Sequence, residues 1–275
     1  MTGNFKNIYE DVRYADAYAR LEFPGTYYLA FRDLPDVFLR HVRGSAAAGA
    51  GPVRGKAAGS QAGGRARAPR KLRALDFGCG AGRSTRFLMN CGFDPVGVDI
   101  SRDMVSIARQ TDPSGDYRAI ADGDFSGLAA ASFDLVFAAF PFDNVPTRER
   151  KVRLLAGLRG LLAAGGRLVN VVSSPEIYRH EWVSFTTRDF PQNRRARNGD
   201  VVRIVNLAVD ARTPVEDILW TEEAWRDVYT AAGFAPVEVL RPLARKEEPV
   251  AGAGAVAWVS ETKVAPWTVW VLAPG

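Results

Sequence analysis

Cysteine is nearly absent. Cys79 and Cys91 are the two in 275 residues, too few for the disulfide framework of a small secreted domain. Histidine is as scarce, with His41 and His180, and no Cys/His spacing suits zinc; no metal site is expected. No stretch approaches the roughly 18 uninterrupted apolar residues that cross a bilayer. Met1–Lys6 lacks the charged-then-apolar layout of a signal peptide, so a cytoplasmic protein without a membrane partner is expected. Lysine is rare beside arginine, 6 against 30, an imbalance that points to genomic base composition as much as to phosphate contacts.

The net charge of +5 is unevenly placed. Residues 44–71 hold Arg54, Lys56, Arg65, Arg67, Arg70 and Lys71 and no acid; without those six the chain carries −1. A nucleic-acid binder wants a basic face on its folded part, and the near-neutral body argues against one. The same 44–71 segment is Ala, Gly, Arg, Ser and Pro with Val53 its one large apolar residue. It buries too little to offset its ordering entropy, and is expected to be a flexible linker, a basic tether being the alternative.

Before it, residues 5–22 read as an amphipathic helix, with Tyr9, Val12, Ala15, Tyr18 and Ala19 three or four apart. Pro24-Gly25 breaks it. Thr26–Arg32 continues as helix, and a third piece runs from Asp33 or Asp36 to Val42 with Asp33 as candidate N-cap. The expected division is 1–43 as a helical cap or lid, 44–71 as linker and 72–275 as an α/β core. Whether the helices close over a ligand or form a layer on a sheet stays open.

In the core, strands are expected near 73–77, 95–99, 116–120, 133–138 and 167–172, and helices near 83–91, 102–111 and 147–163. After the fifth strand the alternation breaks. Residues 175–220 hold an aromatic stretch, a basic loop (Arg194, Arg195, Arg197) and two β-like runs, Val201–Val209 and Val215–Trp220. A helix at Thr221–Ala232, a strand at 234–240 and an antiparallel strand at Trp267–Leu272 close the chain. The fold class is a doubly wound, seven-stranded, mostly parallel sheet with an antiparallel last strand, an N-terminal helical cap and an insertion after strand five.

The most informative stretch is Leu75-Asp76-Phe77-Gly78-Cys79-Gly80-Ala81-Gly82, an apolar run ending in a glycine-rich turn before a helix. Such a turn brings backbone close to a ligand. A dinucleotide fingerprint would want its third Gly where Arg83 stands, and Asp76 would repel a pyrophosphate. A carboxylate there suits a ligand with an ammonium group.

This turn resembles motif I of the class I S-adenosylmethionine-dependent methyltransferases. Val96-Gly97-Val98-Asp99-Ile100-Ser101 resembles their second strand, Asp99 lying 17 positions after Gly82. Ala121-Asp122-Gly123-Asp124-Phe125 is similar to the acidic turn after their third strand, Ser132–Phe137 to their fourth, and Leu161–Leu168 to the loop before their fifth. The resemblance covers residues 72–172. It implies S-adenosylmethionine as cofactor, with Asp76 and the backbone of Gly78, Gly80 and Gly82 at the methionine part. Asp99, followed by Ile100, would take the ribose hydroxyls. Asp122 or Asp124 would meet the adenine amino group, with Phe125 against the ring, and Phe140 would line the same crevice.

The implied activity is methyl transfer to an O, N or C atom of a small molecule, aromatic or otherwise planar, a specialised metabolite by the chain's size and decorations. Phe140-Pro141-Phe142-Asp143-Asn144-Val145 is not the Asn-Pro-Pro-Tyr type used on planar nitrogens of DNA or glutamine. Asn144 is a candidate substrate contact, as are Tyr14, Tyr18, Tyr27, Tyr28, Tyr178 and Trp182. His180, flanked by Tyr178 and Trp182, is the candidate base or a polar residue satisfied within the insertion. The rivals are an RNA or protein methyltransferase, and a non-methylating S-adenosylmethionine-binding protein or cyclase. A homo-oligomer is compatible with the sequence.

Overall fold

The computed structural model describes residues 25–43, 70–209, 212–250 and 254–275. Two short helices, α1 (Thr26–Arg32) and α2 (Leu34–Phe38), lead into a π-helical turn, Leu39–Arg43. The core alternates as β1 (Arg73–Phe77), α3 (Arg83–Asn90), β2 (Asp94–Asp99), α4 (Arg102–Thr111), β3 (Asp116–Ala119), β4 (Phe133–Ala139), α5 (Arg148–Leu161) and β5 (Leu162–Ser173). An insertion carries β6 (Phe185–Thr186), β7 (Val201–Asn206) and β8 (Pro214–Ile218). Then come α6 (Glu222–Ala231), β9 (Phe234–Leu240), a small hairpin of β10 (Pro249–Val250) and β11 (Gly254–Ala255), and β12 (Trp267–Pro274).

Seven strands form one sheet in the order β3-β2-β1-β4-β5-β12-β9. β1 lies parallel between β2 and β4, while β12 runs antiparallel between β5 and β9. The winding reverses between β1 and β4, and open α/β sheets hold ligands beyond the carboxyl ends of the strands at such a reversal. The segments at that edge are the turn after Phe77 and the loop after Ala139. β1 and β4 are almost wholly buried, as expected of parallel strands covered on both faces.

Each flanking layer has its own core. On one face α1, α2 and the insertion pack with α3, and Phe38 meets Phe93 and Phe137 edge-on at 5.4 and 5.8 Å. On the other, α5 and α6 bring Leu154, Leu155, Leu158, Trp225 and Tyr229 against the sheet. Ser101, Thr147 and Thr221 cap α4, α5 and α6, accepting the backbone N–H groups of Met104, Arg150 and Ala224. Each cap contributes about 1 kcal/mol.

Residues 26–43 form a packed layer. The Trp267 indole N–H donates to the Thr26 carbonyl at 2.8 Å, and the Thr26 hydroxyl donates to the fully buried Glu261 at 2.7 Å. Glu261 also accepts the Val183 and Val259 N–H groups, joining α1, the insertion and the approach to β12. The expected helix over 5–22, with Tyr14 and Tyr18, lies outside the described residues, as does the expected 44–71 linker up to residue 69. At Arg70 the chain is already fixed, its guanidinium paired with Asp134 at 2.7 Å.

Three expectations need correcting. Asp33 makes no side-chain cap, because Arg32 clamps its carboxylate through both oxygens at 2.8 and 2.7 Å. The helix it precedes ends at Phe38 and widens into the π-helical turn. α5 stops at Leu161 and β5 starts at once, five residues before the expected 167, because Leu162 pairs with Phe133 across an irregular register.

Candidate functional site

The turn after β1 is shaped by its glycines. Gly78, Gly80 and Gly82 have φ of 74°, 52° and 82°, in the left-handed region that other residues enter at a cost of about 1–2 kcal/mol. A Cβ on Gly78 would lie 2.4 Å from Pro141, and one on Gly82 2.7 Å from the Tyr117 ring. The backbone therefore fits against the loop after β4 and against β3 only without side chains. Asp99, at the end of β2, braces the turn. Its Oδ2 accepts the Gly80 N–H at 2.8 Å and its Oδ1 the Ser101 N–H at 2.8 Å. Burial nevertheless pushes its carboxyl upward, against these bonds.

Asp76 is 1% exposed. Its Oδ2 accepts the hydroxyls of Ser84 and Thr85, both at 2.6 Å, while Oδ1 is buried without a partner. Burial pushes this carboxyl up to about 6, the two hydroxyls opposing and Asp99 adding to the rise. A buried acceptor without a donor costs about 1–3 kcal/mol, a debt that a ligand N–H group removes. Gly78, Cys79, Gly80, Ala81, Arg83 and Ser84 line a crevice of about 440 Å³, roofed by Phe31, Ala139 and Phe140. Glycine-shaped backbone, a donor-seeking carboxylate and the buried Asp99 thus meet at one edge of the sheet.

Beside Asp99, Ile100 stands 51% exposed. The acids after β3 are engaged elsewhere. Asp122 pairs with Arg150 and Arg153 at 3.1 Å, and Asp124 accepts the Ser126 N–H at 3.0 Å; both are exposed. Phe125 packs edge-on to Phe77 at 6.0 Å and covers Gly157, where a Cβ would lie 2.5 Å from its ring.

Phe140 also lines a second cavity of about 430 Å³, together with Tyr27, Ile177, Tyr178, Phe185 and Trp267. The aromatic wall is tight: Trp267 stacks on Tyr27 at 5.6 Å and meets Phe140 at 4.7 Å and Phe185 at 5.8 Å. Phe140 has φ of 71°, a strained backbone for a bulky residue that costs about 1–3 kcal/mol and marks functional segments. Its N–H is held by the Val171 carbonyl at 2.8 Å. The strain places one ring on the border of both cavities.

The polar side of this chamber holds Asp143, Asn144, Ser173, Asn206 and Asp217 with the Tyr178 hydroxyl. Asp143 and Asp217 are 6% and 7% exposed. Asp143 takes the Ser173 N–H through both oxygens, at 3.0 and 3.3 Å; Asp217 Oδ2 takes the Tyr178 hydroxyl at 3.0 Å. Lys151, fully buried, donates to the Phe142 carbonyl and sits over the Trp220 and Trp225 rings at 4.8 and 4.7 Å. Burial pushes Asp143 up to about 6 and Asp217 up to about 7, with Lys151 opposing both. Burial pushes Lys151 down to about 7 against the pull of the two carboxylates. Tyr178 is driven well above its ordinary range, first by burial and then by Asp217. Carboxylates held near neutrality are suited to accept a proton at physiological pH.

Tyr27, Asn144 and Tyr178, expected at the substrate, line the chamber, and Asn144 Oδ1 is buried there without a partner. Three other candidates do not line it. Tyr28, one residue round the helix from Tyr27, turns to Glu248, its hydroxyl 3.4 Å away. Trp182 spends its indole N–H on the Ile177 carbonyl at 2.8 Å within the core. His180, the expected base, is a half-exposed partner of Glu176 at 3.1 Å, four residues back on the same turn. Asp143, Lys151 and Asp217 were not expected. Their signals were nonetheless present: Asp217 shares the inward phase of β8 with Val215, and Lys151 stands three, four and seven positions before Leu154, Leu155 and Leu158 on one helical stripe. A charged residue in an apolar phase is the cue. Among the described residues no group of His, Cys, Asp and Glu could hold a metal ion, and no helix is long and apolar enough to cross a membrane.

A family model described as a methyltransferase domain matches residues 75–168. A demethylmenaquinone methyltransferase of Renibacterium salmoninarum is 30% identical over 164 residues, 57% of this chain and 67% of that protein. A ubiquinone biosynthesis O-methyltransferase of Xanthomonas axonopodis pv. citri is 30% identical over 104 residues, 36% of this chain and 42% of its own. The chain spans about half the length of other curated relatives it matches. Among solved structures, the CcbJ methyltransferase of Streptomyces caelestis superposes with a TM-score of 0.55 at 16% identity over 98% of both chains, a likeness of fold.

Proposed function

Because the chain belongs to the class I S-adenosylmethionine-dependent methyltransferases, we propose that it methylates a small molecule held in the chamber behind Phe140. S-adenosylmethionine is the cofactor and supplies, when bound, an electrophilic methyl group on a sulfonium. Asp76 Oδ1 and the Gly78–Gly80 backbone would hold the amino end of its methionine part, and Arg83 at the crevice wall its carboxylate. Asp99 would accept the ribose hydroxyls, with Ile100 at the adenine. Asp122 or Asp124 would reach the adenine amino group by giving up a surface contact.

The observation that carries this reading is Phe140, one ring on the border of both cavities. A methyl group leaving the crevice past that ring enters the chamber, where positioning alone removes much of the barrier. Asp217, hydrogen-bonded to Tyr178, would accept the proton of the methyl acceptor; the surface pair His180–Glu176 is too engaged and too peripheral for that task. Residues 25–43 and the insertion at 175–220 would serve as the substrate cap. A pocket walled by aromatic rings supports a small acceptor over an RNA or protein chain. The quinone-pathway names of two relatives support a small, partly planar molecule as well.

Calorimetric titration with S-adenosylmethionine and S-adenosylhomocysteine tests the cofactor half, and a turnover screen for S-adenosylhomocysteine over phenols, quinols, indoles and amines tests the other. Binding of both forms and accumulation of S-adenosylhomocysteine with at least one small acceptor is expected. Failure of both forms to bind would overturn the reading. Binding without any turnover would favour a non-methylating role.

A further inference from the structure

The chamber's charges do not balance. Asp143 and Asp217 put two carboxylates on its wall, and Lys151 is the one cation among the described residues that acts electrostatically on either. Lys151 itself is committed to the Phe142 carbonyl and the two tryptophan rings. Asp217, although 7% exposed, accepts one hydrogen bond, through Oδ2 from Tyr178; its Oδ1 takes none among the described residues. Asn144 Oδ1, in the same lining, is a buried acceptor without a donor. The polar wall therefore sets two carboxylates against one cation already committed elsewhere, with a buried amide oxygen lacking a donor beside them. The remaining walls are the faces and edges of Tyr27, Phe140, Phe185 and Trp267, and aromatic faces attract cations.

We propose that the molecule methylated in this chamber is an amine, bound as its ammonium by Asp217, Asp143 and the Asn144 amide oxygen. The inference rests on the methyltransferase reading and names the acceptor that this chamber selects. An ammonium supplies the missing charge and up to three donors at once; a phenol or alcohol supplies one donor and no charge. The chemistry closes without a further reactant. The nitrogen gives one proton to the Asp217 carboxylate, and its freed lone pair forms the new N–C bond as the C–S bond breaks and leaves its electron pair on sulfur. The methylated nitrogen is again cationic, S-adenosylhomocysteine is the neutral thioether, and Asp217 returns its proton to solvent on product release.

Benzylamine and benzyl alcohol, alike in shape and different in charge, test this on the full chain by calorimetric titration at pH 7.5, with S-adenosylhomocysteine titrated first in the same cell. Benzylamine should bind about tenfold or more tightly, the scale of a charge-assisted hydrogen bond. Asp217→Asn should remove that preference while S-adenosylhomocysteine binding persists. Should that variant fail to fold, Asp143→Asn gives the same readout, and the wild-type comparison stands without either. Benzyl alcohol binding as tightly as benzylamine, or no benzylamine binding, overturns the inference. Failure of S-adenosylhomocysteine to bind would instead strike the cofactor reading, so the two failures are distinguishable.

Discussion

The crevice and the chamber share Phe140, yet they are built by different means. The crevice is mostly main chain: three left-handed glycines, the start of α3, and Asp99 reaching back from the next strand to hold the Gly80 N–H. Beneath the roof of Phe31, Ala139 and Phe140 its pieces come from residues 76–101, and the shape of the turn follows from what its glycines lack, namely side chains. The chamber is side chain throughout. Its walls come from α1, the loop after β4, the insertion and β12, and its charged groups from segments more than sixty positions apart. Backbone sites tolerate little change in conformation, whereas side-chain sites tolerate a changed wall so long as the charges stay compensated. The fixed crevice fits an invariant cofactor, and the assembled chamber a particular guest.

The largest effect should fall on the chamber's compensation. Lys151→Met leaves Asp143 and Asp217 buried without their counter-charge, which should cost about 3–5 kcal/mol of stability when denaturant midpoints are compared at pH 6.5, between the Asp143 and Lys151 values. A change under 1 kcal/mol would mean that the carboxylates stay protonated and Lys151 is incidental. In the crevice, Asp99→Ala removes the acceptor of the Gly80 and Ser101 N–H groups. It should weaken S-adenosylhomocysteine binding by about 10- to 100-fold while leaving benzylamine binding in the chamber within about threefold, a contrast that calorimetry reads directly.

Acidity separates the regions less sharply. Asp217 and Asp143 have folded-state pKa values of about 7 and about 6, raised by burial above the ordinary 3.8. Between those limits the native state keeps protons that the unfolded chain has released, so their stabilisation is complete below pH 4 and lost as pH rises through 6 to 7. Lys151, depressed to about 7 from 10.5, has the opposite sign and recovers stability at higher pH. Asp76, raised to about 6, adds a crevice share of the first kind. The thermal midpoint should thus fall between pH 5 and 7.5, and the fall should be shallower in Asp217→Asn. An equal slope would remove Asp217 from the titration. The smallest effect is expected for His180→Ala. Its exposed pair with Glu176 contributes about 0–1 kcal/mol, so S-adenosylhomocysteine and benzylamine binding should stay unchanged, and a lost chamber affinity would restore His180 to the site.

The same contrast explains what the amino-acid sequence discloses. Asp76, the 78–82 glycines and Asp99 are contiguous enough that strand, turn and helix periods alone bring them to one sheet edge. The strands near 73–77 and 133–138 were legible because buried parallel strands are mostly apolar runs, and the edge strands near 116–120 and 234–240 from the alternation of strand and helix along the chain. The chamber was not, because its members meet only after β8 has folded over the loop following β4, and no local period links Tyr178, Asp217 and Lys151. His180 drew notice as a base by its side-chain chemistry, but the tight turn at Pro175–Tyr178 leaves it beside Glu176. Asp143, one residue from the expected Asn144, needed the closing pair with the Ser173 N–H to show its direction.

A crystal structure with S-adenosylhomocysteine bound tests the central claim most directly. The ribose hydroxyls should lie on Asp99, the amino group near Asp76 and the Gly78–Gly80 backbone, and the sulfur at Phe140 facing the Asp217 chamber. A nucleoside seated away from residues 78–83, or a sulfur turned from Phe140 toward solvent, would contradict it.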